Sequence, residues 1–230
     1  MSILENIAAV REKIAAACRE AGRDPKEIIL VGASKMNDAA ACREAIAAGI
    51  DALGENRVQE MTAKLAENAY EGAPLHFIGH LQRNKVKQVV GKVALIQSVG
   101  SAELLEEIDK TAGKLGIVQD ILLEVNIAGE EAKSGFAPEE LFAAAEAARE
   151  KSNVRVRGIM TIPPFDCDRD TNIQYFDKVR ALYVDINAKL FHNELEYLSM
   201  GMSGDYEDAI RCGATMVRVG TAIFGARHYT

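Results

Sequence analysis

One pattern constrains the fold of this chain more than any other. Short apolar runs alternate with longer helical stretches rich in Ala, Glu and Lys, and the alternation recurs eight times. The predicted strands are Ile28–Ser34, Ala52–Gly54, Leu75–Gly79, Ala94–Val99, Ile121–Asn126, Val154–Met160, Tyr197–Met200 and Thr215–Val219. The predicted helices that follow them cover residues 38–48, 57–69, 82–90, 101–114, 138–150, 171–191, 205–212 and a short piece after Thr221. Strands that alternate with helices indicate βαβ units and a parallel sheet.

Eight such units in 230 residues fit an α/β fold of the closed (β/α)8 TIM barrel type. An uninterrupted apolar run such as residues 28–31 is typical of a strand buried on both faces of a parallel sheet. Ahead of the first strand, residues 2–22 predict an extra N-terminal helix. Its apolar stripe consists of Ile3, Ile7, Val10, Ile14 and Cys18. No linker or low-complexity segment interrupts the series, so we expect a single domain over residues 1–230.

A doubly wound open sheet is the alternative, because it also alternates strand and helix. Such a sheet usually carries a glycine-rich nucleotide-binding turn after its first strand. Here that turn reads Gly-Ala-Ser-Lys-Met-Asn over residues 32–37, with neither G-x-G-x-x-G nor a P-loop. The sequence therefore favours the barrel.

Composition and charge argue against several kinds of binding partner and against a membrane-spanning segment. With 27 basic and 34 acidic side chains the net charge is −7, which argues against nucleic acid or an anionic membrane as a partner. The longest run without a charged residue, 72–82, is far shorter than the roughly 20 apolar residues of a membrane-spanning helix. The N-terminus shows no secretory signal pattern, and neither the four cysteines nor the four histidines have metal-ligand spacing. We therefore expect a cytoplasmic protein without a metal site.

Functional residues of a barrel gather at the carboxyl ends of its strands. Lys35 follows the first strand, where partial desolvation or a nearby cation lowers the pKa of a lysine. The ammonium then loses its proton, and the neutral amine is a nucleophile able to form a Schiff base. Arg218 lies inside the last strand, where a buried charge needs a partner such as a carboxylate or the ring nitrogen of a heteroaromatic cofactor. A solvated loop lysine remains the alternative for Lys35.

The ends of the seventh and eighth strands are rich in glycine and hydroxyl side chains. Residues 198–205 read Leu-Ser-Met-Gly-Met-Ser-Gly-Asp, and residues 218–222 read Arg-Val-Gly-Thr-Ala. Backbone N–H groups and hydroxyls at such turns can cradle a phosphate, and barrels commonly bind phosphate after strands seven and eight. Ordinary glycine turns are the alternative, but two of them at these strands favour a phosphate site.

Together these motifs resemble the YggS/PROSC family of pyridoxal phosphate homeostasis proteins. The resemblance rests on Lys35, on the Ile-Gly-His-Leu-Gln-Arg-Asn-Lys segment at 78–85, and on the segments 198–203 and 218–225. It covers essentially the whole chain. It implies a single barrel similar to the N-terminal domain of alanine racemase.

The resemblance also implies roles for individual residues. Pyridoxal 5′-phosphate would be held as a Schiff base on Lys35, with Arg218 facing the pyridine nitrogen. The phosphate would be bound by Ser203, Gly220 and Thr221. Asn56 and Met200 would flank the ring. Roles for His80 and Lys85 in binding the cofactor stay open.

The same resemblance implies a carrier: a monomer that stores pyridoxal phosphate, delivers it to apo-enzymes and limits the free aldehyde. A weak racemase or a Schiff-base lyase using Lys35 is the alternative. A cation at the ring nitrogen opposes its protonation and weakens the cofactor as an electron sink. In alanine racemases a tyrosine of an additional C-terminal β-domain is the second base, and this sequence shows no counterpart. Tyr229, near the terminus, carries little weight. We therefore expect no catalytic residues.

Overall fold

A computed structural model describes residues 2–130 and 134–225. Within these ranges the strands follow one another in the order β1 to β8 around a closed barrel, which confirms the (β/α)8 prediction and excludes the open sheet. The strands are β1 (Ile29–Ala33), β2 (Ala52–Glu55), β3 (Leu75–Phe77), β4 (Leu95–Val99), β5 (Gln119–Val125), β6 (Val154–Thr161), β7 (Tyr197–Ser199) and β8 (Met216–Val219). The α-helices are α1 (Ile3–Glu20), α2 (Ala39–Ala47), α3 (Val58–Ala66), α4 (Ala102–Leu115), α5 (Leu141–Arg149), α6 (Arg169–Leu190), α7 (Tyr206–Arg211) and α8 (Thr221–Phe224).

The predicted helix between β3 and β4 is present as a 3-10 helix. The stretch 82–90 forms a short 3-10 helix, Arg83–Gln88, instead of an α-helix. Three valines at 86, 89 and 90 are buried there, and β-branched side chains lower helix propensity. Gly91 then ends the segment with a φ of 77°. So short a stretch between β3 and β4 suits the 3-10 form, which is common in connecting pieces.

The chain comprises two compact units by the density of their internal contacts. The first unit contains the residues up to 76 and those from 200 onward, and the second unit contains residues 77–199. The single domain over 1–230 therefore stays a prediction. None of the described helices is long and apolar enough to cross a membrane.

The extra N-terminal helix belongs to the first unit. α1 begins with a capping box, in which Ser2 accepts from the Glu5 amide and Glu5 accepts from the Ser2 amide. Its buried face includes Ile7, Val10 and Ile14, as the apolar stripe predicts, and it packs against α2, α7 and α8. The helix therefore supports the short helices that follow β7 and β8.

The pairing of β1 fixes which way the side chains of the first unit point. Val31 lies opposite Arg218 of β8 on one side and opposite Ala52 of β2 on the other. A Cβ added at Gly32 would lie 3.2 Å from the Leu53 side chain, so Gly32 belongs to the face that carries Leu53. Because side chains alternate along a strand, Val31 and Arg218 occupy the opposite face.

The second unit is built on the parallel pairs β4–β5, β5–β6 and β6–β7. Gly158 of β6 allows the closest approach, because a Cβ there would lie 1.8 Å from the Tyr197 carbonyl oxygen of β7. Inside this unit the buried Ser199 hydroxyl donates to the Gln97 side chain at 2.6 Å. This hydrogen bond pairs two buried polar side chains with each other, which lowers the cost of burying them.

Candidate functional site

Lys35 lies two residues beyond the end of β1, at the carboxyl edge of the first unit. The strand pairing continues past Ala33, since the Ser34 amide donates to the Gly54 carbonyl at 3.0 Å. Lys35 is partly exposed and begins a turn in which Met36 has a φ of 62°. The prediction of a lysine at a strand end is confirmed in position.

Arg218 is buried within β8, with 3% of its surface exposed. Its amide donates to the Gly201 carbonyl at 3.0 Å, which ties β8 to the chain after β7. It occupies the same face of the sheet as Val31, away from Leu53. A guanidinium on that face adds positive charge at low dielectric, where its field on a neighbouring group is strong.

A hydroxyl joins the loops that follow β7 and β8. The Ser203 Oγ accepts from the amides of Gly220 at 3.1 Å and Ala222 at 3.4 Å. A Cβ added at Gly220 would lie 3.4 Å from the Ala33 carbonyl oxygen, so this loop packs against the end of the lysine-bearing strand. Thr221 is exposed at the start of α8. Hydroxyls and backbone amides therefore meet beside the end of β1.

Asn56 and Met200 differ in their surroundings. Gly54 of β2 pairs with Ala33 of β1. Asn56 lies two residues beyond Gly54 and Lys35 lies two residues beyond Ala33, so they occupy matching positions after neighbouring strands. The Asn56 Oδ1 atom is buried and has no hydrogen-bond partner among the described residues. Met200 is fully buried, and its amide donates to the Met216 carbonyl at 3.1 Å. Asn56 thus offers a free polar atom beside Lys35, whereas the contact of Met200 with a ring stays a prediction.

Sequence reasoning missed a buried polar cluster next to Lys35. One oxygen of Glu55, at the end of β2, accepts from the Ser34 hydroxyl at 2.6 Å, the Lys64 ammonium at 2.6 Å and the Tyr70 hydroxyl at 3.0 Å. Burial raises the pKa of Tyr70 above its usual value, and the Glu55 carboxylate raises it further. A glutamate that ends the buried strand Ala-Leu-Gly-Glu was the available signal, since a buried carboxylate needs partners.

The remaining sequence candidates are His80, Lys85 and Tyr229. His80 is exposed, and Lys85 lies in the 3-10 helix; both belong to the second unit. Tyr229 lies outside the described residues. In the described ranges no three His, Cys, Asp or Glu residues are grouped as metal ligands.

The chain resembles a known family over nearly its whole length. The family model for the alanine racemase N-terminal domain matches residues 6–228. A pyridoxal phosphate homeostasis protein of Aquifex aeolicus is 44% identical over 229 residues, which are 100% of both chains. A protein of the same name from Pseudomonas aeruginosa is 42% identical and covers 99% of this chain and 97% of its own.

A solved structure shows the same fold with a ligand. PipY from Synechococcus elongatus, solved with pyridoxal phosphate (PLP) bound, superposes with a TM-score of 0.85 at 35% identity. The match covers 97% of this chain and 100% of PipY. PipY has also been solved without PLP, and that structure superposes with a TM-score of 0.87.

Proposed function

From its membership of the alanine racemase N-terminal domain family, we propose that the chain binds, stores and delivers pyridoxal 5′-phosphate. Within that family it belongs to the pyridoxal phosphate homeostasis proteins. One observation carries the proposal. A lysine amine, a buried arginine and a hydroxyl–amide cradle meet at one strand edge of the first unit, at Lys35, Arg218 and Ser203.

The donor set of this edge fits the chemical groups of pyridoxal phosphate. Lys35 supplies a primary amine for an aldehyde, and the Ser203 and Thr221 hydroxyls supply donors for a phosphate. The Gly220 amide, which donates to Ser203 Oγ in this structure, would turn to the phosphate on binding. The unpartnered Oδ1 of Asn56 marks a buried polar group that a ligand would satisfy. When bound, the cofactor supplies an aldehyde that condenses with amines and a ring that withdraws electrons.

Each residue has a distinct part in holding the cofactor. The unprotonated Lys35 amine adds to the aldehyde carbon, a C=N bond forms, and the aldehyde oxygen leaves as water. Ser203, Gly220 and Thr221 bind the phosphate through charge-assisted hydrogen bonds. Arg218 faces the ring nitrogen and disfavours its protonation, because two adjacent positive charges repel. Asn56 and Met200 flank the ring.

We propose a carrier and not an enzyme. The homologues carry the name of homeostasis proteins, and Arg218 weakens the electron sink that carbanion chemistry needs. Among the described tyrosines of the first unit, Tyr70 donates its hydroxyl to Glu55, and burial raises the pKa of Tyr206 to about 12, so neither is a ready base. The proposal includes a cytoplasmic monomer that passes its cargo to apo-enzymes. With a net charge of −7, it has no nucleic acid or membrane partner.

Reduction of the loaded protein tests the site. We expect purified protein to be yellow, and borohydride to fix the cofactor on the peptide that contains Lys35, because reduction converts the C=N bond to a stable amine. Lys35→Ala should lose the label and retain the fold, checked by circular dichroism. Peptide mapping by mass spectrometry reads the result. Label found only on other lysines would refute the assignment.

A further inference from the structure

Helix α3 holds the chain on both sides of Lys35. The Lys64 Nζ donates to the Ser34 carbonyl oxygen at 2.8 Å, and the Glu60 Oε2 accepts from the Met36 amide at 2.8 Å. These are groups of the two peptide bonds that flank Lys35. Because Glu60 and Lys64 are four residues apart, they lie one turn apart on the same face of the helix.

Lys64 is itself fixed by the buried cluster. It forms an ion pair with Glu55 at 2.6 Å, and its side chain is 8% exposed while that of Glu55 is 0% exposed. The same carboxylate oxygen accepts from the Ser34 hydroxyl, so both the hydroxyl and the carbonyl of Ser34 are held. Separating a buried ion pair is costly, because it leaves an uncompensated charge in the interior. The chain on this side of Lys35 is therefore held rigidly.

Glu60 holds a strained residue on the other side. Met36 has a φ of 62°, in the left-handed region that residues with a Cβ rarely adopt. Such a conformation persists only where its surroundings stabilise it. Glu60, which also pairs with Arg57 at 3.3 Å, supplies that stabilisation through the Met36 amide. The direction in which the chain leaves Lys35 therefore depends on Glu60.

We propose that Glu60 and Lys64 are positioning residues for Lys35, holding its backbone so that its amine is aimed at the aldehyde before the C=N bond forms. The inference rests on the proposed function. A reacting group that is already oriented spares the entropy of finding its geometry, so the benefit appears in the rate of the condensation. Phosphate binding does not depend on this orientation.

Two ligands separate these effects. Glu60→Ala should slow C=N formation with pyridoxal phosphate about tenfold, which corresponds to the loss of one hydrogen bond to a charged group. The rate is measured as the growth of visible absorbance in a stopped-flow instrument. Its affinity for pyridoxine 5′-phosphate, which lacks the aldehyde, should stay unchanged. Glu60→Gln keeps an acceptor oxygen and should react nearly as fast as the wild type. Gln59→Ala, exposed on the same helix, is the matched control.

A second variant and a ligand-free measurement complete the test. Lys64→Met alone strands Glu55 in the interior and endangers the fold. Glu55→Gln with Lys64→Met removes both charges and also the donor to Ser34, and should show the slower condensation in a protein whose thermal unfolding remains cooperative. In the ligand-free Glu60→Ala protein, the Met36 amide should exchange its hydrogen faster, measured by NMR or mass spectrometry.

The outcomes distinguish this inference from the proposed function. If wild-type protein forms no bond between Lys35 and pyridoxal phosphate, the proposed function fails. If the wild type forms it and Glu60→Ala forms it equally fast, only the positioning role fails. A parallel loss of pyridoxine 5′-phosphate affinity in Glu60→Ala would also overturn the positioning role, since it would show a general structural defect.

Discussion

Buried charge is costly, and in the first unit it is concentrated beside Lys35. Glu55 and Lys64 neutralise each other at 2.6 Å, and Arg218 lies on the other face of the sheet. The sequence predicted Arg218 because a charge inside an apolar strand stands out. It did not predict the pair, because Lys64 reads as an ordinary helical lysine until α3 packs over β2. A single residue was thus predictable where the sequence of its own strand made it unusual, and not where its role depends on the packing of another element.

His76 predicts how stability depends on pH. Burial lowers its pKa from 6.5 to about 4, so the folded state holds the ring neutral while the unfolded state takes up a proton below pH 6.5. Stability is therefore fully present above pH 6.5 and falls as the pH drops toward 4, by about 3 kcal/mol. His76→Gln should flatten this slope in urea unfolding measured between pH 4 and 7. His192→Asn, at an exposed position, should keep it. An unchanged slope in His76→Gln would contradict the burial argument.

At the scale of elements, the alternation of apolar and helical runs was enough to predict each described strand to within two residues at either end. The alternation also predicted the helix between β3 and β4, but it does not distinguish an α-helix from the 3-10 helix found there. The register could not be read either. That Val31 pairs with Arg218, and that Gly220 packs on Ala33, follows from the closure of β1 against β8 and not from local propensity.

The loops after β7 and β8 should provide most of the affinity for the phosphate. Removing the hydroxyls with Ser203→Ala and Thr221→Ala together should weaken binding of pyridoxine 5′-phosphate by at least about 100-fold, since hydrogen bonds to charged groups contribute roughly 1.5–3 kcal/mol each. Pyridoxal, without the phosphate, should bind far more weakly than pyridoxal phosphate. Equilibrium titration measures both, and the surface substitution Ser152→Ala is the control. Equal affinity for the two aldehydes would show that these loops do not bind phosphate.

At the scale of the molecule, the proposed site is assembled from two distant parts of the chain. Lys35 and Asn56 come from the segment before residue 77, and Met200, Ser203, Arg218, Gly220 and Thr221 come from the segment after residue 199. Both segments belong to the first unit, so the cofactor residues share one compact body. The sequence alone predicts the separate motifs of such a site but not how they come together. Its geometry exists only once β8 has paired with β1.

Proton exchange at the α-carbon of alanine distinguishes a carrier from a racemase. Racemisation needs a proton removed from one face of the α-carbon and returned on the other, hence two positioned acid–base groups. Lys35 can serve one face when an amino acid replaces it on the cofactor. Tyr70 donates to Glu55 and Tyr206 stays protonated, with a pKa of about 12, so neither is poised as the second base. Loaded protein in D2O should therefore incorporate negligible deuterium at the α-carbon of L- or D-alanine, measured by NMR, while restoring activity to a PLP-requiring apo-enzyme. Rapid interconversion of the enantiomers that Lys35→Ala abolishes would instead make the protein an enzyme.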